Sequence, residues 1–464
     1  MQTELRISGR HLEELHEALF REDGFESVAI ALCGRMSGAK HFLLVHEIHH
    51  VPQDAYMERS ALTARWKTEF MVPLLERAQA EHLGILKIHS HPGGHDQFSV
   101  LDDKSDAALF PSVHGWTDDN LPHASAIMLP GKKLIARAWH HDGNVSPISK
   151  ITVAGEEIKI MRPENTGNAP EFARRHAQAF GQKTTMLLRD MAIAVVGCSG
   201  TGSLVIEQLT RLGVGQLVLI DPDQVEEKNL NRIINTKMQD AREKRLKVEV
   251  LRQAIESTGL NTRVTVFPVN IAESVDALRA IAECDLVFGC TDGAEGRHLL
   301  NKLATFYLLP YIDLGVRLDA DGNGGVEQVC GAVHYLQPGE STLLSRKMIS
   351  MAQVESESLK RTNPSEYEAR RSEGYIHGVV EDRPAVISIN MLFAAFAVNE
   401  FLARIHPYRD SGNAGFAKSC MSLTQGEFYT DAEEWPCNVY KRFVGRGDMV
   451  PFMQMPAFSN RKSS

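Results

Sequence analysis

The sequence predicts an α/β protein built from two successive α/β domains, the second a doubly wound parallel sheet. Three observations lead there. The chain has 464 residues, room for two or three domains. Short apolar runs alternate with amphipathic ones as far as Val153. From Glu171 a new rhythm begins: the apolar run Met191–Val196, a glycine-rich loop, the helix-like Ser203–Leu212 and the apolar run Leu217–Ile220. Strand, loop, helix and strand in that order are the unit of a parallel sheet.

Taken in order, His11–Arg21 and Ser60–His82 carry helical periodicity. The apolar run after Glu26 and the run Phe42–Val51 read as strands, as do Ile85–His89, Ala126–Leu129 and Leu134–His140. The polar stretch Arg162–Pro170 reads as a linker. The expected domains are 1–155, a linker and entry helix over 156–185, the doubly wound domain over 186–410, and an extension over 411–464. A net charge of −9 argues against nucleic acid as the main partner. No apolar run is expected to reach the roughly 18 residues of a membrane span, and Met1–Arg6 is no secretory signal. Seven scattered cysteines suggest reduced thiols in a cytoplasmic protein. The sequence shows no internal repeat.

The most informative stretch reads His89-Ser90-His91-Pro92, then Ser99 and Asp102. Two histidines two apart on a strand point to the same side. A carboxylate returning on the next helix completes a His2Asp set. Three protein ligands leave a fourth zinc position open, the layout of a catalytic site. These residues resemble the JAMM (MPN+) metalloproteases, which remove ubiquitin or ubiquitin-like proteins from conjugates. The resemblance covers residues 1–150 and implies a JAB/MPN fold (cytidine-deaminase-like). It implies zinc on His89, His91 and Asp102, an oxyanion contact from Ser99, and a glutamate as general acid/base. Glu26 is the first choice for that glutamate and Glu47 the second.

The second site begins with Gly197-Cys198-Ser199-Gly200-Thr201-Gly202, a loop opening a helix. Its amide groups and the helix dipole suit phosphate. Asp221, ending the next strand, suits a ribose. That pair alone fits an NAD-dependent dehydrogenase equally well. The continuation through Asp223, Asn229 and Arg232, with Gly289-Cys290-Thr291-Asp292, Arg297 and Asn301, resembles the ThiF/MoeB-type ubiquitin-activating family. The resemblance covers 171–405 and implies adenylation of the C-terminal glycine of a ubiquitin-like or sulfur-carrier protein by Mg-ATP. It implies Asp221 on the ribose, Asn229, Arg232 and Lys247 (or Lys244) on phosphates, and Asp292 on magnesium. It also implies a homodimer in which Arg175 reaches across. Gly324–Gly331, Gly374-Tyr375-Ile376, Pro384 and Ser388–Met391 resemble later parts of the family.

The sequence departs from that family at a structural zinc site of two CxxC pairs. The matching positions are Thr342 with Ser345, and Cys437 with Tyr440. One thiolate cannot hold zinc, so none is expected there. The thioester cysteine is left open among Cys330, Cys420 and Cys437. Cys420 is the first choice because Lys418 stands nearby; Cys198 and Cys290 read as packing. A bacterial enzyme that both cleaves at and adenylates a ubiquitin-like C-terminus is the expectation. The alternative keeps the protease and makes the second half an adenylate-only module.

Overall fold

The protein's structure, a computed structural model, describes residues 2–162, 168–372 and 384–458. The chain forms two compact units. Among the described residues, the first gathers 2–162, Thr305–Leu308 and 442–458; the second gathers 168–304, 309–372 and 384–441.

The first unit runs β1 (Thr3–Ser8), α1 (Gly9–Leu19), β2 (Val28–Ser37), β3 (His41–His50), β4 (Tyr56–Arg59), β5 (Ala64–Trp66) and α2 (Val72–Glu81). It continues through β6 (Gly84–Ser90), α3 (Val100–Thr117), β7 (His123–Leu129), β8 (Lys133–Trp139), β9 (Val145–Pro147), β10 (Lys150–Ala154) and β11 (Ile158–Met161). Nine strands make one mixed sheet in the order β11-β10-β1-β3-β2-β6-β7-β8-β9, and β4–β5 is a separate hairpin. Alternation along β2 shows why its apolar run is unbroken. Ala29, Ala31 and Cys33 join the core cluster under α1, while Val28, Ile30 and Leu32 join the one under α2 and α3. Both faces are covered, so both are apolar.

The second unit runs α4 (Arg174–Asp190), β12 (Ala192–Val196), α5 (Gly200–Arg211), β13 (Gln216–Ile220), α6 (Met238–Arg242), α7 (Lys247–Ser257), β14 (Arg263–Phe267) and α8 (Val275–Ala282). It continues through β15 (Leu286–Gly289), α9 (Ala294–Tyr307), β16 (Tyr311–Ala320), β17 (Val326–Leu336), α10 (Met351–Thr362), α11 (Pro364–Ser372), α12 (Ile387–Ile405), β18 (Lys418–Ser422) and β19 (Glu427–Asp431). The sheet order is β14-β13-β12-β15-β16-β17-β18-β19. Pairing is parallel from β14 to β16 and antiparallel from β16 to β19. The order reverses between β12 and β15, the crevice where doubly wound sheets bind ligands.

The structure corrects several expectations. Ser60–His82 is not one helix: its first half holds β5 and a 3-10 turn, and α2 starts only at Val72, with Pro73 in its first turn. The first domain does not end at 155, because β11 hydrogen-bonds to β10. Residues 411–464 are not one extension: β18 and β19 complete the second sheet, whereas 442–458 belongs to the first unit. One helix of membrane-spanning length does occur among the described residues, the 19-residue α12. Its Phe393, Ala394, Ala397 and Phe401 are buried, and Phe393 lies over Gly331 of β17. Residues 163–167 of the expected linker and Gly374-Tyr375-Ile376 lie outside the described residues.

Candidate functional site

Strand β6 delivers the histidines of the first site. Its register with β2 sets Val28 beside His89. Ser90 Oγ accepts a hydrogen bond from Ser27 N at 3.0 Å and locks that register where the strand ends. Lys87 and His89 therefore share the sheet face covered by α3. Asp102 is the third residue of α3 and Ser99 its N-cap. Asp102 N donates to Ser99 Oγ at 3.2 Å, and Ser99 N donates to Asp102 Oδ2 at 2.6 Å. This capping box fixes the carboxylate before any ligand arrives.

The three side chains converge. His89 Nε2 lies 3.0 Å from His91 Nε2 and 3.0 Å from Asp102 Oδ1, and His91 Nε2 lies 3.5 Å from Asp102 Oδ2. The ligating atoms all fall within 4.8 Å of one another. His91 Nδ1 donates to the His95 carbonyl at 2.8 Å, which leaves Nε2 free to ligate. Burial pushes the Asp102 carboxyl up, yet hydrogen bonds from His89 and His91 hold it well below the carboxylate range. Burial lowers His89. His89 is only 3% exposed. Two imidazole nitrogens and one carboxylate oxygen fit a zinc ion with an open position.

Glu26 lines the same cavity of about 570 Å³ as His89, Asp102 and Lys87, with Trp66 and Leu109 in its walls. Burial lifts its carboxyl to about 7. Glu47 is a different case. Arg77 grips it at 2.7 and 2.9 Å and holds it down to about 2. Sequence reasoning missed Arg59, which sets Glu26 in place. Its Nε donates to Glu26 O at 2.8 Å, its Nη2 to Ser27 Oγ at 2.9 Å, and its Nη1 pairs with Asp23 at 2.9 Å. Glu26 N donates in turn to Ser60 O at 2.8 Å. The β4–β5 hairpin thus holds the glutamate, a link no local spacing announces.

The second site is a cavity of about 430 Å³ at the ends of β12, β13 and β15. Gly197, Ser199, Asp221, Asn229, Arg232, Lys247 and Asp292 all line it. Gly200 and Gly202 lie behind it in α5. Gly197 has φ +89, and a Cβ there would sit 2.5 Å from Cys290 O. A Cβ on Gly202 would sit 1.8 Å from Gly197 O. Here glycine permits the close packing of the loop itself. Asp221 Oδ2 accepts from Cys198 N at 2.7 Å and Oδ1 from Asp223 N at 2.9 Å. Burial raises the Asp221 carboxyl, while Lys247 and these two amides work against the rise. Lys247 Nζ bonds Asp223 Oδ2 at 2.7 Å. Lys244, in a left-handed turn with φ +51, is not among the lining residues, so Lys247 is the cation of the pair at this cavity. Asn229 Oδ1 accepts from Glu226 N at 3.0 Å. Arg175 is exposed on α4 and does not line the cavity of its own chain.

Residues 173–431, more than half of the chain, match the ThiF family. The chain belongs to the ThiF family. Residues 8–141 match the family of prokaryotic homologs of the JAB domain, so a JAB domain precedes the ThiF domain. Ubiquitin-like modifier-activating enzyme 5 of Culex quinquefasciatus is 28% identical over 224 residues, 45% of this chain and 54% of that protein. The Caenorhabditis briggsae enzyme of the same name is 30% identical over 186 residues, 38% of this chain and 40% of that protein. The chain spans about half the length of the curated relatives it matches. The crystal structure of E. coli MccB with ATP is similar at 18% identity over 60% of this chain and 76% of that one, with a TM-score of 0.43.

The first-choice nucleophile of the ThiF domain lies in its sheet. Cys420 lies mid-strand in β18, paired to Ala332 on one side and Tyr429 on the other, and is 8% exposed. Lys418 shares its strand face but bonds Asp431. Burial and pairing on both sides suit a small apolar packing residue. Of the seven cysteines, six are buried and Cys330 is half-buried. At the CxxC-like positions, an arginine ties the same segments together. Arg346 donates to Ser341 Oγ at 2.8 Å, Ala417 O at 2.8 Å, Tyr335 O at 3.0 Å and Glu433 Oε1 at 2.9 Å. Tyr440 OH meets His298 Nδ1 at 2.8 Å.

Proposed function

We propose that this chain is a two-site enzyme acting on the C-terminal tail of a ubiquitin-like or sulfur-carrier protein. The JAB domain hydrolyses the bond after the terminal glycine, and the ThiF domain adenylates the glycine so exposed. The observation that carries the reading is the convergence of His89, His91 and Asp102 beside Glu26, on the same chain as a ThiF domain.

At the first site zinc, when bound, supplies the Lewis acidity that makes water a nucleophile near neutral pH. His89, His91 and Asp102 hold it. Glu26 takes the proton of the attacking water and delivers it to the leaving nitrogen, a role its raised pKa suits. The Ser99 hydroxyl accepts from Asp102 N, which leaves its proton free for the developing oxyanion.

At the second site the glycine carboxylate attacks the α-phosphorus of ATP and pyrophosphate leaves. Charge builds on phosphate oxygens, and Lys247, Arg232 and the Ser199–Gly202 end of the loop, which opens α5, meet it. Asp221 holds the ribose and Asp292 the magnesium. Because six of the seven cysteines are buried and Cys330 is held mid-strand in β17 between Arg317 and Ser422, the acyl group passes from the adenylate directly to an acceptor, without an enzyme thioester. The protein works in the cytoplasm of a bacterium as a homodimer, with Arg175 completing the partner's site. Physical linkage of the two activities raises the effective concentration of the trimmed tail at the second site.

The test is intact mass spectrometry, without reductant, of the protein mixed with Mg-ATP and a ubiquitin-like protein ending in glycine. An acyl-adenylate with no protein adduct is expected. A thiol-labile adduct mapping to Cys330, Cys420 or Cys437 would replace the direct transfer with a thioester route. Light scattering that gives a monomer would remove the role of Arg175.

A further inference from the structure

Glu357 lies on α10, far in sequence from every motif of the nucleotide cavity, yet it lines that cavity beside Asp292 and Gly293. Its Oε2 accepts a hydrogen bond from Glu295 N at 2.9 Å, in the first turn of α9. The glycine at 293 makes room for this approach, since a Cβ there would stand 3.0 Å from Glu357 Oε2. Three carboxylates therefore crowd one end of the cavity. Glu295 is already neutralised by Arg361, whose Nη2 and Nε bond it at 2.7 and 3.0 Å. Arg361 is one turn along α10 from Glu357, so the same helix face supplies both a cation for Glu295 and an anion for the cavity. Asp292 forms no hydrogen bond or ion pair among the described residues. Asp292 and Glu357 then remain, among the described residues, as carboxylates without an ion-pair partner beside the loop where phosphates are expected. That is unfavourable for a bare polyphosphate and favourable for one that arrives with a divalent cation.

We propose that Glu357 is a second carboxylate ligand for the nucleotide's magnesium. One oxygen is anchored on the α9 N-terminus and the other faces the ion together with Asp292. The proposal rests on the nucleotide reading of this cavity and adds the segment that follows β17 to the metal end of it.

The test is the dissociation constant of ATP, measured by calorimetry on the full chain with Mg2+ and with EDTA, for wild type, Glu357→Gln and Asp292→Asn. A Gln carbonyl can still accept from Glu295 N, so Glu357→Gln should keep the wild-type melting temperature. It should bind Mg-ATP about tenfold more weakly and metal-free ATP more tightly than wild type, because a repelling charge is gone. Asp292→Asn should behave alike. Equal weakening in both conditions would assign Glu357 to capping α9 alone and overturn the proposal. So would unchanged affinities, or wild-type binding indifferent to Mg2+. A wild type that binds no ATP in either condition would instead overturn the nucleotide reading itself.

Discussion

At the scale of single residues, the proposed reading of the first site gives separate residues the work of ligand, proton carrier and cap. His89→Ala removes an imidazole that is 3% exposed and aimed at the other two ligands. Metal analysis of the purified variant should show the zinc of the JAB domain lost; undiminished zinc would refute the ligand assignment. Glu26→Gln should retain zinc and lose hydrolysis by about 10²–10⁴-fold, the usual worth of a positioned general acid/base. Retained cleavage would return the role to Glu47, against its grip by Arg77. Ser99 has two jobs that substitution can divide. Alanine removes both the cap and the hydroxyl and should cost about 1 kcal/mol, whereas glycine caps nearly as well and should cost only a few tenths. If the hydroxyl serves the oxyanion, both variants lose turnover alike while only Ser99→Ala melts lower. Turnover that tracks melting temperature would leave Ser99 a cap.

Elements explain which parts of the sites were legible in advance. The HSHP…S…D motif spans one strand, one loop and the first turn of one helix, so its geometry is nearly local and its spacing carried the answer. Gly197–Gly202 and Asp221 were legible for the same reason, because β12, α5 and β13 follow one another. Arg59, Arg346 and Glu357 were not, since each reaches its site by tertiary packing and leaves no periodicity behind. Ser60–His82 misled because Trp66, Phe70 and Leu74 fit a helical stripe, although Trp66 and Phe70 reach their core cluster from a hairpin and a 3-10 turn. The pair Glu47–Arg77, joining β3 to α2, allows a test of such cross-element links. Arg77 lowers the Glu47 carboxyl from 4.5 to about 2. A depressed carboxyl pKa gives stability that is present above 4.5 and fades as the pH falls toward 2. Arg77→Met should therefore melt below wild type at pH 7, and chemical denaturation should show that gap closing between pH 4.5 and 2. A gap constant with pH would mean that the arginine acts through packing alone.

For the whole molecule, sequence order and compact units do not coincide. Residues 442–458 return to the JAB unit from late in the sequence. Gly34 N donates to Gly445 O at 3.2 Å, Asp448 N to Arg35 O at 2.7 Å, and His46 Nδ1 to Val444 O at 2.6 Å. Arg446 pairs with Glu81 at 2.9 Å. The backbones meet without side chains between them. A Cβ on Gly34 would lie 2.2 Å from Gly445 O, and one on Gly445 2.2 Å from Val45 O. The Gly34 amide, the Arg35 carbonyl and the His46 imidazole lose these partners without the segment, each at a cost of about 1–3 kcal/mol where it stays buried. Residues 1–164 expressed alone should therefore be markedly less stable than the JAB unit of the full chain, even though they include every proposed zinc ligand. Gly34→Val in the full chain should lower the melting temperature of that unit and speed hydrogen exchange of 442–458, leaving ATP affinity unchanged. Native-like stability of 1–164, or unaltered exchange in Gly34→Val, would show that the segment rests on the JAB sheet without supporting it.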